Sequence, residues 1–278
     1  MEVDVSETAY QDLGGVAETA LFGLAIRAFE SQRPDALVKD ERAEALASRM
    51  DPDFLRSKLA HIEDYSQVAY ILRSREFDHY AADLLARHPQ AVIVHIGCGL
   101  DTRFERVDNG QVQWYDLDLP DVIPLRRKLI RDEAERYHLL AYSVLDPAWL
   151  DVVSAHGQQP FLFLAEGVFM YLDGAQVKSL VLTLQNRFPG AELAFDAFSP
   201  LLSWANNLRV TLTKVGARSQ WALKRGTDVE RWGAGIRLLD ERFPYQYPEP
   251  RLGRALAVRH IPFFSHWMGI FHYQLGKA

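Results

Sequence analysis

The chain of 278 residues carries a single cysteine, Cys98, which excludes an internal disulfide and a cysteine zinc cluster. No apolar run reaches the length of a membrane span. There is no basic block either: 31 Lys and Arg are interspersed with 37 Asp and Glu, for a net charge of −6. Nucleic acid and a membrane surface are therefore not expected among the partners. None of the nine histidines has helical metal-ligand spacing beside a carboxylate, so no metal site is expected. A Gly-x-Ser-x-Gly nucleophile elbow and a Gly-Lys-Ser/Thr phosphate loop are both missing. So are internal repeats and low-complexity linkers. The opening MEVDVSETAYQ lacks the basic-then-apolar pattern of a secretory signal, and a cytoplasmic protein is expected.

What is present is an ordinary globular composition, 48% hydrophobic and 24% charged, ample for a sizeable core. Ala17–Phe29 has apolar residues at helical spacing. Asp40–Met50 reads as a second helix, with acid early and Arg late, as the helix dipole prefers. Asp53–Arg75 and Glu76–His88 continue the helical character, so residues 1–88 read as helical without strands. Apolar runs then appear at Ala91–Ile96, Val112–Tyr115, Leu139–Tyr142, Phe161–Ala165 and Ala191–Ala197, with helical stretches at Val122–Tyr137 and Gly174–Phe188. Strands and helices in alternation, with nearly continuous apolar strands, predict an α/β fold with a mostly parallel sheet covered on both faces. Leu201–Leu223 reads as a longer helix rich in Trp and Asn. His266–Leu275 has β-type composition with aromatics and could supply final antiparallel strands at one edge, while Gly226–Pro262 is irregular.

The chemistry concentrates in Ala91–Pro120. The first apolar run ends in Gly97-Cys98-Gly99, and the second delivers Asp116 and Asp118. Strand, glycine turn, strand, carboxylate is the order that builds a nucleoside site at the carboxyl edge of a parallel sheet. The glycines let a ligand approach the backbone, and the acid accepts hydrogen bonds from ribose hydroxyls. Asp116 follows Gly97 by 19 residues, against roughly 20 for such an acid. The third glycine of a dinucleotide fingerprint is replaced by Thr102, and Asp101-Thr102-Arg103 is too polar for the close helix packing that glycine permits. A ligand without a pyrophosphate, such as S-adenosylmethionine, fits better. A plain strand–turn–helix corner would carry the same glycines.

Further candidates lie at strand ends. Glu166 closes Phe161–Ala165 at the ligand edge, while Asp173 is the better placed cap for the next helix. Ser143 and Asp146 follow the third strand, where an adenine edge would be held; either also suits a turn. Arg73 and Arg75 in LRSREFD, and Arg27 in AIRAFE, are cations able to grip an amino-acid carboxylate, although arginines at helical spacing commonly line a solvated face. Tyr171, Trp204, Asn206, Asn207, Trp221 and Trp232 are positions where a substrate pocket could form, with packing of a lid the commoner role for the tryptophans.

These motifs together resemble the leucine carboxyl methyltransferase family, and within it the tetracenomycin-polyketide-type O-methyltransferases. The segments are GVAETALFGLAIRAFESQRPDALVKDERA, RSREFD, HIGCGLDTRFERV, WYDLDLPDVIPLRRKLI and AEGVFMYL, and the likeness extends to about residue 200. The resemblance implies a class I methyltransferase (Rossmann-like) sheet with an N-terminal helical cap and a helical lid insertion, and S-adenosyl-L-methionine as cofactor. By match of motif it implies Arg73 at the methionyl carboxylate, Gly97 and Gly99 beside the methionyl portion, Asp118 with its neighbour Asp116 at the ribose, Glu166 facing the methionyl amino group, and Arg27 near the cofactor. Ser143, the adenine candidate, stands where the phosphatase-directed members carry Asp, which is closer to the polyketide branch.

One domain is expected over 1–278, divided into a helical cap at 1–88, a cofactor-binding core at 89–198, a helical lid at 199–235 and C-terminal strands at 236–278. The expected reaction is methyl transfer to a small hydroxyl or carboxyl acceptor, aromatic or polyketide-like. The alternatives are a protein C-terminal carboxyl methyltransferase and a non-catalytic cofactor-binding protein. No residue identifies itself as a general base.

Overall fold

The structure is a computed structural model that describes residues 15–60, 62–130, 134–213 and 216–276. Expectations about the N-terminal segment before residue 15 lie outside the described residues.

Among the described residues, four helices come first: α1 (Gly15–Ser31), α2 (Glu41–Ala47), α3 (Pro52–Leu59) and α4 (Asp64–Arg87). Asp40 caps α2 by accepting from the Ala43 amide, and Asp51 caps α3 ahead of its N1 proline. The stretch expected to run as helix from Asp53 breaks between Leu59 and Asp64, and α4 then continues unbroken through both expected segments.

The core alternates strictly. β1 (Val92–Ile96) leads to α5 (Arg103–Val107), and β2 (Gln113–Asp118) to α6 (Val122–Leu129). β3 (Tyr137–Ala141) leads to α7 (Ala148–Ser154), β4 (Phe161–Ala165) to α8 (Gly174–Arg187), and β5 is Ala191–Phe198. α8 opens with the capping box expected of Asp173, completed by Gln176. The helix expected over Val122–Tyr137 ends at Leu129, because Tyr137 already pairs as a strand with Trp114.

The strand order is β3-β2-β1-β4-β5-β7-β6, with β1 to β5 parallel. β6 (Ile236–Arg242) and β7 (Met268–Leu275) complete one edge, each antiparallel to its neighbour, so the irregular 226–262 stretch does contain a strand. Alternation along β4 shows how both faces are buried. Phe161, Phe163 and Ala165 pack with Trp149, Val177, Val181 and Leu184 of α7 and α8. Leu162 and Leu164 pack on the opposite face with Phe77, Ala81 and Leu84 of α4. A third cluster joins α1, α2 and α3 to Leu125 and Leu129 of α6, so the cap rests on the helix that follows the acidic pair.

Helix over Leu201–Leu223 is only partly found. α9 (Pro200–Thr213) stops at residue 213, and residues 217–223 run back along it without regular structure. They are held there because Asn207 donates to the Ser219 carbonyl and accepts from the Ser219 amide, each at 2.8 Å. The expected helical lid is thus one helix clamped to an irregular strap. No described helix is long and apolar enough to cross a membrane. α10 is the short turn Pro262–Ser265 before β7.

Candidate active site at the carboxyl edge of the sheet

The glycine turn requires its glycines. Gly97 has φ +69° and Gly99 φ +48°, and a Cβ on Gly97 would collide with Val168. The turn is tied to the next strand, since the Gly97 amide donates to the Leu117 carbonyl at 2.7 Å. Asp118 ends β2 and accepts from the Gly99 amide and from the Leu119 amide, each at 2.7 Å. Burial pushes its carboxyl above the ordinary aspartate value, and those two amides offset only part of the effect.

Glu166 follows β4 and joins two helices. Its Oε1 accepts from Arg73 Nε of α4 at 3.0 Å, and its Oε2 from Arg103 Nη2 of α5 at 2.5 Å. Burial alone would raise this carboxyl; the two guanidinium groups outweigh it and hold it below the usual range. Arg73 also donates through Nη1 to Asp196 at the end of β5, at 2.7 Å, and lies 4.4 Å from the Tyr70 ring centroid. Gly167 brings no side chain to this spot: a Cβ there would stand 3.8 Å from Arg73 Nη2. Tyr171 is one turn further on, its phenol raised by burial, with Arg73 and Asp196 both acting on it.

Arg73, Gly97, Gly99, Asp118, Glu166 and Tyr171 therefore meet at one edge. Ser143 closes the turn after β3 at the same edge, with its hydroxyl 3.3 Å from the Leu145 amide. Other expected residues do not meet there. Asp116 is fully buried and saturated: Arg126 and Tyr137 both donate to Oδ2, and Trp114 donates to Oδ1 at 2.8 Å. Its neighbour His95 reaches within 3.3 Å of Oδ1 without an aligned hydrogen bond. Arg27 is likewise engaged from below, donating to Asp40 at 3.1 Å and to the Leu100 carbonyl at 2.9 Å. Arg126 donates to the Gly99 carbonyl at 2.9 Å, so both arginines clamp the glycine loop from underneath. Trp204 is 64% exposed on the outer side of α9, and Asn207 is spent on the strap.

Sequence reasoning missed the network that supports the edge. Arg103 has no exposed surface and bonds Asp78, Ser74 and Glu166, with Asp101 at 3.0 Å. Arg106 joins Asp78, Asp40 and Asp101. The charged run after the second glycine was the available signal. Its charge reads as polarity unfit for tight helix packing, whereas the folded chain spends it on internal ion pairs.

A cavity of about 400 Å³ lies elsewhere, lined by Tyr80, Arg87, Glu192, Asp240 and His272. Its charges satisfy one another: Arg87 donates to Glu192 at 2.9 Å, His272 Nε2 lies 2.8 Å from Glu192, and Tyr80 donates to Asp240 at 3.0 Å. Arg87 is about 21 Å along α4 from Arg73, at 1.5 Å per residue, so this cavity belongs to the opposite edge.

The model of the family described as leucine carboxyl methyltransferase matches residues 20–185, which carry every one of these edge residues except Asp196. The chain belongs to the leucine carboxyl methyltransferase family. It is 34% identical over 230 residues to the tetracenomycin polyketide synthesis O-methyltransferase TcmP of Streptomyces glaucescens, covering 82% of this chain and 83% of that one. It is 29% identical over 248 residues to the S-adenosyl-L-methionine-dependent methyltransferase dpfgK of Gibberella zeae, covering 83% of each. Among solved structures, a Thermobifida fusca protein assigned as a methyltransferase superposes with a TM-score of 0.60 at 16% identity, over 93% of this chain and 94% of that one. The magnesium protoporphyrin IX methyltransferase of Synechocystis, solved with bound SAH, superposes with a TM-score of 0.51 at 9% identity, over 86% and 94%. The fold is that of class I methyltransferases, and this family member is an S-adenosylmethionine-dependent methyltransferase.

The edge suits that cofactor. Its amino-acid tail carries one carboxylate and one ammonium, and the edge offers Arg73 beside the ionised Glu166 at 3.0 Å. Its ribose needs an acceptor beside the glycine turn, where Asp118 is held by two amides.

Proposed function

We propose that this enzyme is an O-methyltransferase acting on a small organic hydroxyl or carboxyl acceptor, aromatic or polyketide-like. The observation that carries the acceptor class is the 34% identity to TcmP, whose name places it in tetracenomycin polyketide synthesis. In this reading Arg73 grips the methionyl carboxylate and Glu166 faces the ammonium. Asp118 takes the ribose hydroxyls, Gly97 and Gly99 admit the methionyl portion against the backbone, and Ser143 stands at the adenine. Tyr171 borders the acceptor. Asp116 and Arg27 support the glycine loop from beneath and do not touch the cofactor. Residues 1–278 act as one domain, in which the lid comprises α9 and its strap, and the protein works in the cytoplasm on small molecules.

When bound, S-adenosylmethionine supplies an electrophilic methyl on its sulfonium. The protein's task is to align an acceptor oxygen behind that methyl and to exclude water. The two acids nearest Arg73 are both engaged. Glu166 is bridged by two arginines and Asp196 by Arg73 and the Gly167 amide. The Tyr171 phenol is raised by burial and so remains protonated. In this reading the acceptor oxygen arrives already ionised, as a carboxylate or an acidic phenol does.

Radiolabelled cofactor offered to a panel of phenols and aromatic carboxylic acids, beside a phosphatase catalytic subunit, tests the reading. Transfer to a small acceptor is expected. Transfer to the C-terminal carboxylate of the protein alone would overturn it.

A further inference from the structure

Asp196 closes a ring of charge at the carboxyl edge. Arg73 of α4 donates through Nε to Glu166 after β4, at 3.0 Å, and through Nη1 to Asp196 of β5, at 2.7 Å. The other oxygen of Asp196 accepts from the amide of Gly167 at 2.6 Å, and Gly167 is covalently joined to Glu166. Asp196 has no exposed surface, and the hydrogen bonds of its carboxylate among the described residues go to the guanidinium and to the turn that carries Glu166.

Glu166 could not fix Arg73 alone. Its second oxygen is taken by Arg103, and its remaining charge faces the space where an ammonium is to sit. A single acid on one side would also leave a long side chain free to swing about its own stem. Pulling on two different nitrogens, from two adjacent strands, with the Tyr70 ring 4.4 Å away, leaves the fork one direction to face.

We propose that Asp196 is the positioning residue for Arg73, setting both the guanidinium fork and the Glu166–Gly167 turn to receive the amino-acid tail of the cofactor. This rests on the placement of that tail at Arg73 and Glu166. Asp196 itself does not touch the ligand.

Titration supplies a readout that a merely structural role would not move. The groups facing Asp196 are Arg73 from α4, Glu166 and the Gly167 amide from the turn after β4, and Tyr171 from the following turn. Burial pushes the Asp196 carboxyl above its ordinary value, and Arg73 and the Gly167 amide only partly oppose this. Glu166 is shifted the other way, held below its ordinary value by Arg73 and Arg103. Asp118 is also raised, but it serves the ribose and would affect any adenosine ligand alike.

The experiment compares S-adenosylhomocysteine with methylthioadenosine, which shares the nucleoside and sulfur but lacks the tail. Calorimetry on Asp196→Asn should show S-adenosylhomocysteine weakened about tenfold or more, the size of a lost charge-assisted bond, and methylthioadenosine changed less than about twofold. Equal losses for the two ligands, or none for either, would overturn the proposal. If Asp196→Asn does not fold, the wild-type protein decides: the affinity advantage of the tailed ligand should shrink as the pH falls from about 7 to about 4, the ordinary aspartate value above which Asp196 is raised, and a constant advantage would overturn the proposal. Arg73→Ala separates the two layers. Selective weakening of S-adenosylhomocysteine there, without it in Asp196→Asn, leaves the tail site standing and removes Asp196 from it. No selective weakening in Arg73→Ala removes both.

Discussion

Two charged regions of this protein, a few ångströms apart, are built to opposite rules. Beneath the glycine loop three arginines face three aspartates: Arg27 and Arg106 meet Asp40 and Asp101, and Arg126 meets Asp116. At the carboxyl edge Arg73 pairs with Glu166 and Asp196, Arg103 reaches up to Glu166 from the floor, and Asp118 has two backbone amides and no arginine bonded to it. The floor is balanced and sealed; the edge keeps an excess of acid. Asp116 and Asp118 show the contrast within one strand. The first is held below its ordinary pKa because Arg126 and the His95 side outweigh burial, while burial raises the second, which has backbone amides in place of a cation. Balanced pairs make a rigid support. Uncompensated acid makes a place for a ligand that arrives with positive charge, as a sulfonium with an ammonium tail does.

The largest effect should come from unbalancing the floor. Asp116→Ala strands Arg126 in the interior and should cost about 3–5 kcal/mol of stability by denaturant unfolding. Asp118→Asn removes no buried partner of a cation. It should cost far less stability and act instead on nucleoside affinity. Equal destabilisation by both would erase the distinction between floor and edge.

Next in size is Arg73→Ala, which should lose about 1.5–3 kcal/mol of S-adenosylhomocysteine affinity by calorimetry while adenosine binds as before. Arg73→Lys should recover only part, because a point charge lacks the fork. Loss of adenosine binding as well would make Arg73 part of the floor.

The two aspartates should also respond oppositely to pH. Asp116 is depressed, so its stabilisation is complete above the unfolded value of about 3.9 and is lost as the pH falls through its lower folded value. Asp118 is raised, so its contribution to stability declines as the pH rises through its folded value. Its ionised form, which on the proposed reading takes the ribose hydroxyls, begins to be lost on acidification while the pH is still above about 4. Adenosine affinity should therefore fall before the fold does, a sequence that calorimetry and circular dichroism on one pH series would check.

The smallest effects concern the lid. Asn207→Ala should cost about 1–2 kcal/mol, for two lost hydrogen bonds to Ser219. Trp204→Ala, at 64% exposure, should change stability by no more than about 0.5 kcal/mol.

Strands and edge residues were legible because a parallel sheet writes itself as apolar runs that end where ligands bind. β4 fell on Phe161–Ala165, and Glu166 follows from its position alone. Asp196 lies near the end of the next apolar run, yet it went unread because that run continues through Ala197 and Phe198 and shows no break at the acid. Long-range pairing hid the rest. Nothing local marks Asp40 as a partner of Arg106, or Asp78 as a partner of Arg103, since those bonds join helices far apart in sequence. Asp116 and Asp118 look alike in the chain, and only the position of Arg126 separates them. In the lid, composition favoured helix through Leu223, but hydrogen bonds from Asn206 and Asn207 fold the chain back as a strap.

A crystal structure with S-adenosylhomocysteine tests the central claim most directly. The methionyl carboxylate should lie on Arg73, the ammonium against Glu166 and the ribose hydroxyls on Asp118, with Asp116 still closed on Arg126. Density that placed the tail away from Arg73, or the ribose on a residue other than Asp118, would contradict it.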